Sequence, residues 1–114
     1  MLSKPHKSQQ LEREALLSSG WWNNTCSSDH QHHCKWDGIT CNSAASITKI
    51  CLDNKSIKGE LGHFNFSCFL QTLESFSVWR NNLSGNIPSQ IAALSKLQRL
   101  DLGNNNLSGS RYKL

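Results

Sequence analysis

The sequence is short of several things that would have settled its class at once. It holds two prolines, one tyrosine and one methionine, and charged residues make up only 18% of it. No stretch approaches the roughly 18 to 20 apolar residues that a bilayer-crossing helix needs, so no transmembrane segment is expected. The formal net charge of +4 is spread out, with no run of Lys or Arg and no basic stripe interleaved with aromatics. Nucleic-acid binding therefore has no footprint beyond the net charge. No GxSxG, HExxH or phosphate-cradling glycine loop occurs, and no Cys/His pair has a nucleophile's context. Neither catalysis nor a cofactor is expected. The first ten residues, Met1 to Gln10, contain no apolar h-region, so no signal peptide is visible. Either the natural N-terminus lies upstream of this chain or the protein stays in the cytosol; the other features favour the first.

Those features begin with cysteine and asparagine. Five cysteines, Cys26, Cys34, Cys41, Cys51 and Cys68, in 114 residues are dense for a cytosolic protein and ordinary for a secreted one. Five Asn-x-Ser/Thr sequons, at Asn23, Asn54, Asn65, Asn82 and Asn106, are possible N-glycosylation sites and point to the same secretory route.

Internal similarity decides the fold. The segment Leu97-Gln-Arg-Leu100-Asp-Leu102-Gly-Asn-Asn105-Asn-Leu107-Ser-Gly109 fits LxxLxLxxNxLxG. Twenty-four residues earlier Leu73, Phe76, Val78, Asn81, Leu83 and Gly85 hold the same places, and another 26 back stand Ile47, Ile50, Leu52, Lys55, Ile57 and Gly59. In each copy the alternating LxL core predicts a short strand with its apolar side chains inward. The asparagine after it can bond backbone groups of neighbouring turns, and Lys55 takes that place in the first copy. Turn residues Leu61, Phe66, Ile87, Ile91 and Leu94 add burial.

Before the repeats, residues 9–19 predict a helix with Leu11, Ala15 and Leu16 on its apolar face and Gly20 as its stop. Trp21 and Trp22 follow, suited to covering the open apolar end of the first repeat. Then comes Cys34-Lys-Trp36-Asp-Gly38-Ile-Thr-Cys41.

The continuation Leu83-Ser-Gly85-Asn-Ile87-Pro88 resembles the LxGxIP hallmark of plant-specific leucine-rich repeats. The Cys34-to-Cys41 segment resembles the Cys-x-Trp-x-Gly-Val-x-Cys signature that closes the N-terminal cap of plant leucine-rich-repeat receptor kinases and receptor-like proteins. Residues 14–22 are similar to the cap helix of one subgroup. The resemblance covers residues 11 to 109. It implies an α/β repeat fold: a right-handed leucine-rich-repeat solenoid with one parallel sheet on its concave face and a helical, disulfide-closed cap. It further implies a Cys34–Cys41 disulfide, with Trp21, Trp22 and Trp36 as cap packing, leaving Cys26, Cys51 and Cys68 without an assigned pairing. Residues 1–10 are expected to be a disordered tail, 11–45 the cap, and 46–114 about three repeats with the last incomplete.

By the same resemblance the function is extracellular recognition in cell-surface signalling. The partners would be a peptide or protein ligand and co-receptor ectodomains, at the plasma membrane in the full-length family. Full-length relatives would be serine/threonine kinases, whose signatures this chain lacks. A free-standing secreted decoy or enzyme inhibitor, and a truncated product without separate role, are the alternatives. Outward strand positions define the expected binding face, with Lys49, Asp53, Glu74, Ser77, Trp79, Arg80, Gln98, Arg99 and Asp101 its members; Thr48 and Cys51 also point that way. Trp79 and Arg80 are favoured interface anchors, although Trp79 could equally pack on a neighbouring strand. Cys26, His30, His33 and Cys34 could be assembled into a zinc set, but Cys34 belongs to the cap motif and no metal is expected.

Overall fold

A computed structural model describes residues 6–22 and 32–108. Asn23, Cys26 and His30 lie outside the described residues. The first element is helix α1, His6–Ser19. It begins earlier than the expected 9–19 and reaches into the segment expected as a disordered tail. Nothing between His6 and Gln10 breaks a helix, and Pro5 stands just before it, where proline is tolerated. Gly20, at φ 78, closes the helix with its N–H donating to the Leu17 carbonyl.

The face that α1 buries holds Ala15 and Leu16 as expected, but not Leu11. Leu11 is 45% exposed, whereas Glu12 is 3% exposed and packs inward with Ala15 and Leu16. The correction has an electrostatic cause. Burying a carboxylate is costly unless it gains partners, and Glu12 accepts the Ile47 N–H at 3.3 Å and lies 3.8 Å from Nε2 of the buried His33. A leucine there would leave the first N–H of the repeat stack without that acceptor.

Two sheets follow. The first joins β1 (Ile39–Cys41), β2 (Ile47–Cys51), β4 (Ser75–Ser77) and β6 (Arg99–Asp101), in that order. The second joins β3 (Lys58–Glu60), β5 (Asn82–Asn86) and β7 (Asn106–Ser108), all parallel. β2, β4 and β6 pair in parallel with Ile50, Phe76 and Leu100 in one register row, as the repeat alignment requires. The expected parallel sheet is formed by β2, β4 and β6; in addition, β3, β5 and β7 form a second sheet, and antiparallel β1 covers the N-terminal edge of the first. Covering that edge removes a row of backbone groups that would otherwise be open to another strand.

The core runs between the sheets. Ile47, Ile50, Leu52, Leu73, Phe76, Val78 and Leu83 are buried, together with the turn residues Leu61, Phe66, Ile91 and Leu94. All four phenylalanines of the chain join it. Phe64 stacks on Phe69 at 5.5 Å and on Trp21 at 5.1 Å, while Phe66 meets Phe76 edge-on at 5.1 Å. This aromatic column ties cap to repeats.

Asn81 and Asn105 do what their position predicts. The Asn81 amide oxygen accepts the N–H groups of Lys55 (3.0 Å) and Ile57 (3.1 Å), and its nitrogen donates to the carbonyls of Leu52 (2.9 Å) and Val78 (2.8 Å). Asn105 repeats the pattern one turn on, accepting from Leu83 and donating to Val78. Each residue just before this position, Asn54, Arg80 and Asn104, has left-handed backbone with φ of 57, 60 and 54. Asparagine tolerates that conformation better than arginine does. Lys55, lacking an amide, turns outward and pairs with Asp37 of the cap at 2.8 Å.

Candidate functional site

The cap is held by a continuous set of contacts. Cys34 and Cys41 are disulfide-bonded. A loop this short contributes about 2–3 kcal/mol in the chain-entropy account, so its main effect is on shape. Trp22 is buried and its indole N–H donates to the Asp37 carbonyl at 2.9 Å. Trp36 is buried beside Trp22 (6.3 Å) and edge-on to His33, with the Arg13 guanidinium 5.0 Å above its ring. Trp21 is half-buried on the aromatic column. All three tryptophans are therefore packing residues.

The zinc arrangement does not survive in this geometry. His32, His33 and Cys34 lie close together, but the Cys34 sulfur is committed to the disulfide. Partial desolvation, and then the neighbouring His33, push the His32 imidazole below its ordinary range. Cys51 and Cys68, left without an assigned pairing by the sequence, are free thiols. Burial, then Glu12 and Glu14, raise the Cys68 thiol above its ordinary range, so it stays protonated.

The outward face of the first sheet presents the residues expected to bind, and divides them into two groups. Lys49, Arg80, Gln98 and Arg99 are exposed, and Glu74 and Asp101 half-exposed. Ser77, expected on the surface, is instead buried, and its hydroxyl donates to the Asp53 carboxylate, which also accepts the Trp79 N–H at 2.8 Å. The physical reason is that neighbouring coils sit close enough for these short side chains to bond each other rather than solvent. Thr48 is buried too, its hydroxyl donating to the Thr40 carbonyl of β1. Trp79 leans over the next coil: a Cβ built on Gly103 would lie 3.1 Å from its Cδ1. One side of the Trp79 ring thus lies against Gly103, and the ring is half-exposed.

Of the sequons, Asn54, Asn65, Asn82 and Asn106 are exposed. Asn82 and Asn106 lie on β5 and β7, away from the first sheet. The Asn65 side chain accepts from Ser67 N–H and donates to Cys68 Sγ at 3.4 Å, so its amide is already engaged. Among the described residues, no helix is long and apolar enough to cross a membrane.

Phe64, Phe69 and the Glu12–His33 pair are site residues absent from the expected set. The three phenylalanines between 64 and 69 in a chain poor in aromatics were the available signal for the column. Glu12 had none, because its partners Ile47 and His33 come from distant segments.

Stacked coils with an asparagine ladder, closed at one end by a disulfide cap, define a leucine-rich-repeat segment. The Leucine Rich Repeat family model matches residues 72–94 and 96–112. The chain is 42% identical over 77 residues to Receptor-like protein kinase 7 of Arabidopsis thaliana, spanning 68% of this chain and 8% of that protein. It is 37% identical over 92 residues to Phytosulfokine receptor 1 of the same plant, 79% of this chain and 9% of that one. Among solved structures, the Arabidopsis BIR3–SERK2 complex superposes with a TM-score of 0.65 at 27% identity, covering 84% of this chain and 57% of that one. PEPR1 with AtPEP1 gives 0.62 at 27% identity, covering 89% of this chain and 15% of that one. The chain belongs with the plant leucine-rich-repeat receptor-like kinases. It spans under a tenth of the length of the curated relatives named here.

Proposed function

We propose that this chain is the N-terminal part of an extracellular recognition module that acts at the plant cell surface by binding, without catalysis of its own. Residues 11–45 serve as the cap and 46–114 as about three repeats. The partner is a peptide ligand or a co-receptor ectodomain. The relatives support this, since one is a phytosulfokine receptor and two solved neighbours are complexes, with SERK2 and with AtPEP1.

The observation that carries the proposal is the division of the first sheet's outward face. Asp53 and Ser77 lock neighbouring coils together, and that rigid floor leaves Lys49, Arg80, Gln98 and Arg99 free to meet a ligand. Rigid placement lowers the ordering cost of binding. Trp79, half-exposed beside Gly103, provides the apolar area. Glycans on Asn82 and Asn106 would sit on the opposite sheet and leave this face open.

Surface-plasmon titration against secreted plant peptides and co-receptor ectodomains tests the proposal. For the partner so found, Trp79→Ala and Arg99→Ala should each weaken binding by about tenfold, about 1.4 kcal/mol. Ser84→Ala on the second sheet should leave it unchanged. Equal losses at Ser84 and Arg99 would refute the assignment of the face.

A further inference from the structure

A cavity of about 300 Å³ lies where the cap helix meets the first coil, with Glu12, Ser46, Cys68, Leu70 and Thr72 in its walls. Three parts of the fold build it. Helix α1 supplies Glu12, the first coil supplies Ser46, Cys68 and Thr72, and the next coil is tied to Leu70, whose carbonyl accepts from the Ser95 N–H at 2.9 Å and the Ser95 hydroxyl at 3.1 Å.

Two polar groups of this cavity lack partners. Glu12 is 3% exposed, and its Oε1 accepts the Ile47 N–H and faces His33, whereas among the described residues nothing bonds its Oε2. The Thr72 hydroxyl oxygen is out of solvent and also without a hydrogen bond. Buried polar groups nearly always find a partner, and a buried carboxylate is costly until it gains one. Both groups belong to one cavity, which gives it convergent acceptors on a partly apolar wall, the usual make-up of a small-ligand site.

We propose that this cavity binds a primary ammonium group, carried by a small alkylamine or by a lysine side chain. An ammonium carries three N–H donors and no acceptor. Those donors match the free Glu12 oxygen, the Thr72 hydroxyl and the Ser46 hydroxyl, and the bond to the carboxylate is the strong, charge-assisted kind. Leu70 and Cys68 offer the alkyl chain its apolar contact. The sign of the charge agrees. Burial, then the charges of Glu12 and Glu14, keep the Cys68 thiol protonated, and the same negative field attracts a cation and repels an anion.

Amide NMR spectra of the nitrogen-labelled, disulfide-intact chain, titrated with n-butylammonium chloride, test this. The expected result is a saturable shift of the Ile47 and Thr72 amides, absent with potassium chloride at equal ionic strength. Tetramethylammonium, which has no N–H donor, should bind at least about tenfold more weakly. Glu12→Gln keeps an oxygen for the Ile47 N–H while removing the charge, and should weaken butylammonium by about tenfold or more. Thr72→Val should weaken it by about threefold or more. Nα-acetyl-lysine methylamide separates the two sources. Binding as tight as that of butylammonium supports a lysine side chain, and silence beside a binding butylammonium supports a free amine. Should Glu12→Gln fail to fold, as judged by its circular-dichroism melt, Thr72→Val and the tetramethylammonium comparison decide together. Shifts that never saturate, that potassium reproduces, or that ignore the folded variants overturn the proposal.

Discussion

Gly38→Ala should lower the stability of the chain by about 2–6 kcal/mol. The sum combines roughly 1–3 kcal/mol for left-handed backbone strain with roughly 1–3 for a contact that must be relieved by movement. Gly38 has a φ of 83, and a Cβ there would sit 2.3 Å from the Cys51 carbonyl oxygen and 3.1 Å from a Leu52 methyl carbon. The carbonyl belongs to the backbone of the adjoining segment, where the Cys51 N–H donates to the Gly38 carbonyl at 2.8 Å, so neither partner can swing aside. The melting midpoint should fall by about 10 °C or more, at 4–8 °C per kcal/mol for a domain of this size. Two controls separate the causes. Gly59 also has a positive φ, 110, yet nothing lies within 4 Å of its Cβ position, so Gly59→Ala should show the strain alone. Gly62 has open space and no such φ, and Gly62→Ala should be near neutral. Circular-dichroism melts ranking Gly59 above Gly38 would remove the close approach as the explanation.

Asn81→Leu should cost about 3–5 kcal/mol, since each buried polar group left without its partner loses about 1–3 kcal/mol. The substitution removes the acceptor for Lys55 and Ile57 and the donor to Leu52 and Val78, groups from two successive coils. Side-chain volume is roughly kept, so the loss reports the ladder rather than a cavity. Asn105→Leu should cost less, because Asn105 accepts one cross-coil N–H where Asn81 accepts two, and its own coil is part-exposed. Urea titrations read this directly: the midpoint falls with the slope unchanged. Equal effects at Asn81 and Asn105 would mean that the number of cross-coil N–H groups accepted does not set the loss.

Much of this architecture was legible before any coordinates, because a repeat states the same constraint several times. Ile50, Phe76 and Leu100 fell into one register from spacing alone, and so did Asn81 and Asn105. The Cys34–Cys41 disulfide came with the family resemblance rather than with the spacing. What was not legible depended on partners far apart in sequence. The helical pattern allowed Leu11 inside, and only the Ile47 N–H and His33 turned Glu12 inward instead. Ser77 alternates outward along its strand, but the Asp53 carboxylate of the preceding coil takes it out of solvent. β1 is three residues long and Trp36 to Cys41 reads as a loop, so its pairing with β2 left no periodic trace. Of the expected face, Lys49, Arg80, Gln98 and Arg99 are exposed, and Ser77 is buried through its contact with the preceding coil.

The claim at the centre of this account is that the first sheet's outward face meets the partner and the second sheet does not. Photo-crosslinking tests it most directly, with p-benzoylphenylalanine placed at position 98 in one variant and at position 84 in another, each incubated with extracellular fluid from plant tissue. Gln98 is exposed on the coil's first-sheet side, and Ser84 lies on β5 of the second. A saturable adduct with a secreted peptide or an ectodomain is expected from position 98, and none from position 84. A saturable adduct from position 84 with position 98 silent would contradict it.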